Sequence, residues 1–348
     1  MAVVLWLRRS LRLHDNPSLS LASALCQREG LELIPLFVVD PLVWQGGRVG
    51  AVRLAFLAEA LADLQEQFQQ RRSRLFVREG SAKEALLGLA GELRGTLRHV
   101  IFEKDTEPEA CRRDAEVVAA LTQKQVVVWP MHGHSLQDMD ELVARARKSP
   151  AGPPLAYNAF LKVFDQMPPP TAPLPSPSTL PGPPRGLPGG VLPTAPAPAS
   201  AAPGFVVDDT EVGAAFLKSS RPRGGERPAL QRLGEVLRDT DYVLGFSKPE
   251  TNPLSLGCST SGLSAYMNHG CLSPRLFWHR LEAIEKEGAR QGKASTTPPQ
   301  SLRGQLLWRE FSMFLGYVVT GLDRVEGNDV CLPSARWRGD SEAQKWLL

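Results

Sequence analysis

The sequence predicts a doubly wound α/β domain with a parallel sheet, then a proline-rich stretch, then an all-α region. Three observations predict it. From residue 1 to about 130, short apolar runs alternate with amphipathic stretches of about ten residues or more, the pattern of right-handed βαβ units covered on both faces. From 150 to 203 the composition shifts to Pro, Ala, Gly and Ser. Beyond that no strand pattern returns, and the apolar spacing is helical.

The elements follow in order. Val3 to Leu7 is a short apolar run and reads as a buried strand; Pro17 to Arg28 has helical spacing, and Leu33 to Val39 is a second strand. Asp15 and Asn16 supply a side-chain cap ahead of a helix that starts at Pro17. Gly50 to Gln70 is a long amphipathic helix rich in Ala and Leu. Strand Arg74 to Val77, helix Ala82 to Leu93, strand Arg98 to Phe102, helix Glu109 to Gln123 and strand Gln125 to Trp129 complete the alternation. The proline-rich segment lacks backbone donors for helix or sheet and cannot bury a core, so it reads as an extended or disordered spacer. A docking site for a proline-reading module is the other reading. After it come helical patterns at Arg227 to Asp239, Ser264 to His269, Pro274 to Glu287 and Ser301 to Thr320. The boundaries drawn from this are 1–149, 150–204 and 205–348.

The 348 residues are 43% hydrophobic and 22% charged with a net charge of +3, ordinary globular composition that permits nucleic-acid binding without arguing for it. Five scattered cysteines without a CxxC fit reduced thiols in the cytosol or nucleus, not a disulfide framework. His132 and His134 flank a glycine, and two histidines without further ligands nearby make a weak metal signal, so no metal site is expected. No run of about 18 apolar residues exists to span a membrane. After the first strand stands RRSLRLHDNPSL, with no glycine to admit a pyrophosphate, which disfavours Rossmann-type dinucleotide binding.

Two stretches carry chemistry. In the helix SLRGQLLWREFSMFLGYVVT, Gln305, Trp308, Arg309 and Ser312 share one side, while Leu307, Phe311, Phe314 and Val318 form an apolar stripe for a core. An amide, an indole and a guanidinium together suit a polar, aromatic ligand; a core edge with a snorkelling cation gives the same pattern. Ser259, Thr260, Ser261 and Gly262 place three hydroxyls and a flexible backbone just before a helix start, where exposed N–H groups favour phosphate oxygens. Capping alone needs one such residue.

Gly304 to Phe311, GQLLWREF, resembles the signature helix of the photolyase and cryptochrome family, in the form found in the (6-4) photolyase and animal cryptochrome branch. Phe246 to Ser273 resembles that family's pyrophosphate segment, with Ala265, Asn268 and His269 departing from its usual residues. Leu7 to Leu19, Pro154 to Phe164 and DRVEGNDVCLPSARW resemble its opening, its first-domain exit and a segment after the signature helix.

The resemblance implies a flavoprotein in which FAD, driven by blue light, transfers an electron to a UV-damaged DNA lesion, the (6-4) photoproduct. It implies Lys248, Ser259, Thr260, Ser261, Gly262, Leu263, Ser264 and Gln305 at the cofactor, and Asn252, Trp308, Arg309 and Ser312 at the DNA. Trp337 matches the outer tryptophan of the electron-transfer chain. Where folate-binding bacterial members carry an Asn-Glu pair, Glu109 and Ala110 stand here, so no antenna chromophore is claimed. The family's FAD domain runs on past Leu348. The chain therefore reads as C-terminally truncated, with FAD weak or absent and repair impaired unless the rest is supplied. Damaged DNA is the implied partner, protein partners through the proline-rich segment the second, and the nucleus, with the cytoplasm beside it, the implied location. The rivals are a cryptochrome acting as photoreceptor or transcriptional and circadian regulator without repair, and a nucleotide-binding α/β module that only scaffolds partners through its proline-rich segment.

Overall fold

A computed structural model describes residues 1–40, 49–188, 221–248, 260–324 and 327–330. Five strands, β1 (Ala2–Leu7), β2 (Glu32–Val39), β3 (Phe76–Glu79), β4 (Leu97–Glu103) and β5 (Val127–Met131), form one sheet of order β3-β2-β1-β4-β5. Every pairing is parallel. Helices α1 (Pro17–Glu29), α2 (Ala51–Gln70), α3 (Ala82–Glu92) and α4 (Pro108–Thr122) connect the strands. β1 is buried along its whole length, as a central strand covered on both faces must be. β3 and β5 each begin about two residues later than the spacing predicts. Gln125 takes a left-handed φ of 60°, which turns the chain before β5 can pair with β4.

The cap before α1 is divided differently from the expectation. Asn16 alone caps, its side-chain oxygen accepting from the Leu19 N–H at 3.0 Å, and Gly30 closes the helix in the left-handed region. Asp15, fully buried with φ at 44°, instead reaches across to the helical part of the chain.

That part begins earlier than the composition implied. Two helices with no counterpart in the sequence reading, α5 (Met139–Ala146) and α6 (Tyr157–Phe164), pack on each other and on α11 (Leu302–Val318), the helix that carries GQLLWREF. Between them in sequence lie α7 (Glu226–Arg238), α8 (Thr240–Gly245), α9 (Ser264–Asn268) and α10 (Pro274–Arg290). One buried cluster runs from Leu5 and Leu7 through Phe160 to Phe311 and Phe314, joining one face of the sheet to the helices; Trp6, Phe76 and Phe102 belong to a second core on the other face.

Residues 165–188 of the proline-rich stretch are extended, as expected, but they are not a free spacer. Leu180 is 6% exposed and Leu187 8%, each in a different core. The Leu33 N–H donates to the Gly182 carbonyl at 3.1 Å, the Leu180 N–H to the Arg71 carbonyl at 3.1 Å, and Arg71 Nε to the Pro177 carbonyl at 2.7 Å. Proline removes donors but not acceptors, so a proline-rich strap docks by its carbonyls and its leucines. Leu180→Ala is expected to cost about 2–4 kcal/mol in urea denaturation, where a spacer residue would cost nothing.

The two layers are joined by buried polar groups. Arg12, 0% exposed, donates to the carbonyls of His14 (3.1 Å), Gly270 (3.0 Å), Asp15 (2.9 Å) and Gly133 (2.7 Å). Asp15 accepts a bidentate pair from Arg275, at 2.7 and 3.0 Å, and the Ser273 hydroxyl. Glu226 accepts from the N–H groups of Leu13 and His14 and from His14 Nδ1. His14 Nε2 in turn accepts from the Ser273 N–H, which fixes the ring's tautomer with the proton on Nδ1.

Candidate functional site

Where the layers meet, a cavity of about 590 Å³ opens. One wall is the residues leading into α9: Lys248, Thr260, Ser261 and Ser264 line it. The opposite wall is α11, where Gln305, Arg309, Ser312 and Gly316 recur at i, i+4, i+7 and i+11 and so share a stripe. Phe246, Phe277, Leu306 and Met313 make the space between largely apolar. Arg9, Asp105, Thr106, Glu107 and His134 close the end formed by the sheet layer.

The α9 wall is built for close approach. Gly262 has φ at 68°, a conformation glycine adopts without strain. The N-cap residue of α9 is Leu263, which has no polar side chain to cap with; the Ser261 hydroxyl accepts from the Leu263 N–H at 3.5 Å. The helix has only five residues, and its dipole adds less than the sequence reading assumed. The carbonyl of Ser261 is fixed by Arg232 Nε at 3.0 Å.

On α11 the cap is Ser301, whose hydroxyl accepts from the Gly304 N–H at 3.1 Å. Gly304 is needed there, because a Cβ would lie 2.4 Å from the Pro299 carbonyl. Leu307, Phe311 and Phe314 are buried, as the apolar stripe requires. Arg309 is half-buried on the cavity wall. Its Nη1 donates to the His134 carbonyl at 2.7 Å, and burial pushes the guanidinium down to about 10, against the pull of Glu310 and Glu103. Glu310, read from the sequence only as part of a motif, is fully buried and accepts from the N–H groups of Leu136 and Gln137 at 2.9 Å each.

Trp308 does not line the cavity. It sits on the neighbouring face of α11, 42% exposed, stacked on Tyr157 with ring centroids 3.9 Å apart and planes 7° from parallel. One face of the indole is thus covered by the tyrosine. Ser259, Asn252 and Trp337 lie outside the described residues. Lys248, Thr260, Ser261, Ser264, Gln305, Arg309 and Ser312 are brought to one cavity; Gly262 and Leu263 belong to the turn that carries its α9 wall.

Of the residues contributed by the sheet layer, the sequence reading singles out only His134, beside His132. Arg9 pairs with Asp105 at 3.2 Å and Glu107 at 2.6 Å. These three, with Asn268, also line a second cavity of about 610 Å³ at the carboxyl ends of β1 and β2, which Ser81, Lys83 and Ala110 border. His134 is buried, its Nδ1 without a partner, and burial with the neighbouring Arg309 holds its pKa well below the usual histidine value.

His269, on the same joint, is lowered to about 4 by burial and by Arg53 and Arg9. A histidine whose folded pKa is depressed stabilises the fold fully above its unfolded value of 6.5, and loses that contribution as pH falls through the folded one. For His269 the loss amounts to about 3 kcal/mol between pH 6.5 and 4. The depressed carboxyls of Asp15, held down by Arg275, and Glu226, held down by His14, add losses of the same sign at lower pH. Burial raises Glu310 to about 7, which works the other way over the same range, so the check is a difference. His269→Gln is expected to lose less stability than the parent chain between pH 6.5 and 4 in urea denaturation, and an unchanged slope in the variant would refute the assignment.

Comparison with known proteins fits this geometry. The DNA photolyase family profile matches residues 3–178, half of the chain. The chain is 33% identical over 344 residues to the (6-4) DNA photolyase of Oryza sativa subsp. japonica, covering 95% of this chain and 58% of the relative. It is 33% identical over 354 residues to cryptochrome-2 of Gallus gallus, covering 98% and 56%. The chain thus spans a little over half the length of these relatives. In fold it resembles a bacterial class III photolyase from Agrobacterium tumefaciens, with a TM-score of 0.71, 23% identity and coverage of 99% of this chain and 64% of the other. A cryptochrome from Synechocystis aligns with a TM-score of 0.72, 20% identity and coverage of 99% and 67%.

Proposed function

The chain belongs to the DNA photolyase and cryptochrome family, and from that premise we propose that its interlayer cavity is the flavin site of a blue-light electron-transfer protein acting on UV-damaged DNA. The observation that carries the reading is the convergence of Lys248 and the Thr260, Ser261 and Ser264 hydroxyls on one wall with Gln305, Arg309 and Ser312 on the other. A cation and clustered hydroxyls beside a glycine turn suit a pyrophosphate; the apolar space between Phe246, Phe277 and Leu306 suits a flat ring. The residues fit FAD.

When bound, FAD supplies the light absorption and the electron. The chain's own groups bind and orient. Lys248 offsets phosphate charge, while the phenylalanines and Leu306 keep water from the ring. Gln305 and Ser312 stand on the cavity stripe of α11. The Gln305 amide nitrogen donates to the Pro299 carbonyl at 3.1 Å and the Ser312 hydroxyl to the Trp308 carbonyl at 3.0 Å, which leaves the amide its second N–H and its oxygen, and the hydroxyl its lone pairs. Trp308 offers its open face, backed by Tyr157, to a base turned out of the duplex, a stack worth roughly 1–3 kcal/mol. The lesion class that the resemblance to (6-4) photolyases favours is the (6-4) photoproduct, and the same resemblance favours the nucleus as its location, with the cytoplasm beside it.

The test is titration of the purified chain with FAD, followed by flavin fluorescence. Weak but saturable binding is expected, weakened about tenfold further by Lys248→Ala, the equivalent of about 1.4 kcal/mol for a lost charge-assisted contact. No binding, or binding indifferent to that variant, would remove the reading. Blue-light repair of an oligonucleotide carrying the (6-4) lesion then separates repair from signalling, which needs the bound flavin but no turnover.

A further inference from the structure

The two histidines of His132-Gly133-His134 part company in the fold. His134 turns into the interface between the layers, where its carbonyl holds Arg309. His132 follows β5 and turns toward the start of α5. There its Nε2 lies 3.3 Å from Asp138 Oδ1 and 3.1 Å from Asp140 Oδ2, and one ligand atom from each residue falls within 4.8 Å of the others. Neighbouring ligand atoms around a first-row ion with bonds of about 2.1 Å are separated by roughly 3.0–3.4 Å, in octahedral or tetrahedral geometry. We propose that His132, Asp138 and Asp140 form a binding site for a divalent first-row transition ion, a role separate from the flavin cavity.

The donor set of one imidazole and two carboxylates suits zinc, manganese or ferrous iron and not a soft monovalent ion. Asp140 lies in α5, and His132 stands one residue past the end of β5. Asp138 is the cap of α5 and is held by the N–H groups of Asp140 (2.9 Å) and Glu141 (3.3 Å), while the His132 ring packs beside Tyr317 of α11 at 6.3 Å. The side chains of Asp138 and Asp140 are 43% and 53% exposed, so an ion has a path in and water can complete its coordination. The Lys104 ammonium already pairs with Asp140 Oδ2. That oxygen is therefore a place where a cation rests, and the lysine is the competitor an arriving ion displaces.

The lysine gives the proposal its sharpest test. The untagged, metal-stripped chain is titrated with Zn²⁺ alone by calorimetry, with circular dichroism as the check that each variant is folded. One saturable site is expected; His132→Ala and Asp140→Asn each weaken it about tenfold or more, since each removes one of three ligands. Lys104→Met, which frees Asp140, tightens it. No saturable binding overturns the proposal. So does binding that persists unchanged in His132→Ala and Asp140→Asn, which the chain's cysteines would then explain, or binding that Lys104→Met does not strengthen.

Discussion

Gly270→Ala is expected to leave the chain unable to bring its two layers together. Gly270 sits at φ 68°, and a Cβ there would lie 1.5 Å from the carbonyl oxygen of Arg9 and 2.3 Å from its carbonyl carbon. The left-handed conformation alone costs an alanine only about 1 kcal/mol. The contact is the larger matter, because what it meets is backbone, and no rotamer change can relieve it. The Arg9 segment cannot retreat either: Arg12, three residues on, is pinned by four carbonyls, one of them that of Gly270 itself. A loss above about 4 kcal/mol follows, a large share of the 5–15 kcal/mol typical of a whole domain. Gly292→Ala is the control, since its φ is 71° but no atom lies within 4 Å of the added carbon. Soluble yield and the urea midpoint should collapse for the first variant and move by about 1 kcal/mol for the second. Equal behaviour of the two would sink the argument.

That joint also marks the limit of what was legible in the sequence. Periodicity located every strand, and it named the buried stripe of α11 from Leu307 to Phe314, because those signals are local. The helical wheel also put Gln305, Trp308, Arg309 and Ser312 on one side, but a side is wider than a cavity. The stripe that faces the α9 wall runs through Gln305, Arg309 and Ser312, and Trp308 falls on the flank that meets Tyr157 of α6. Arg12 and Glu310 are visible in the sequence only as members of the segments RRSLRLHDNPSL and GQLLWREF. What they do depends on carbonyls and N–H groups more than 170 residues away in some contacts, such as Glu310 with Gln137. Nothing within one helical turn of either residue announces that. The strap from 165 to 188 failed differently: composition reported the missing donors correctly, and the two buried leucines and the unspent carbonyls decided the outcome.

Arg12→Met is the second large effect, and it separates packing from hydrogen bonding. Methionine fills part of the same volume without strain, so a cavity contributes little. The four carbonyls of His14, Asp15, Gly133 and Gly270 would, however, lose the guanidinium that satisfies them, at about 1–3 kcal/mol for each that remains buried. Even if water reaches half of them, a loss on the order of 4 kcal/mol remains. Arg12→Lys keeps the charge but offers one point in place of a planar fork, and can serve only carbonyls on one side. It is therefore expected to fall between wild type and methionine in urea denaturation. The carbonyls of Gly133 and Gly270 belong to segments that carry His134 and Asn268 to the cavity, so the lysine variant should also bind FAD more weakly while still folded. If Arg12→Met were as stable as wild type, the layers would be held by their apolar core alone. If Arg12→Lys lost stability but bound FAD as well as wild type, the cavity would not depend on the joint.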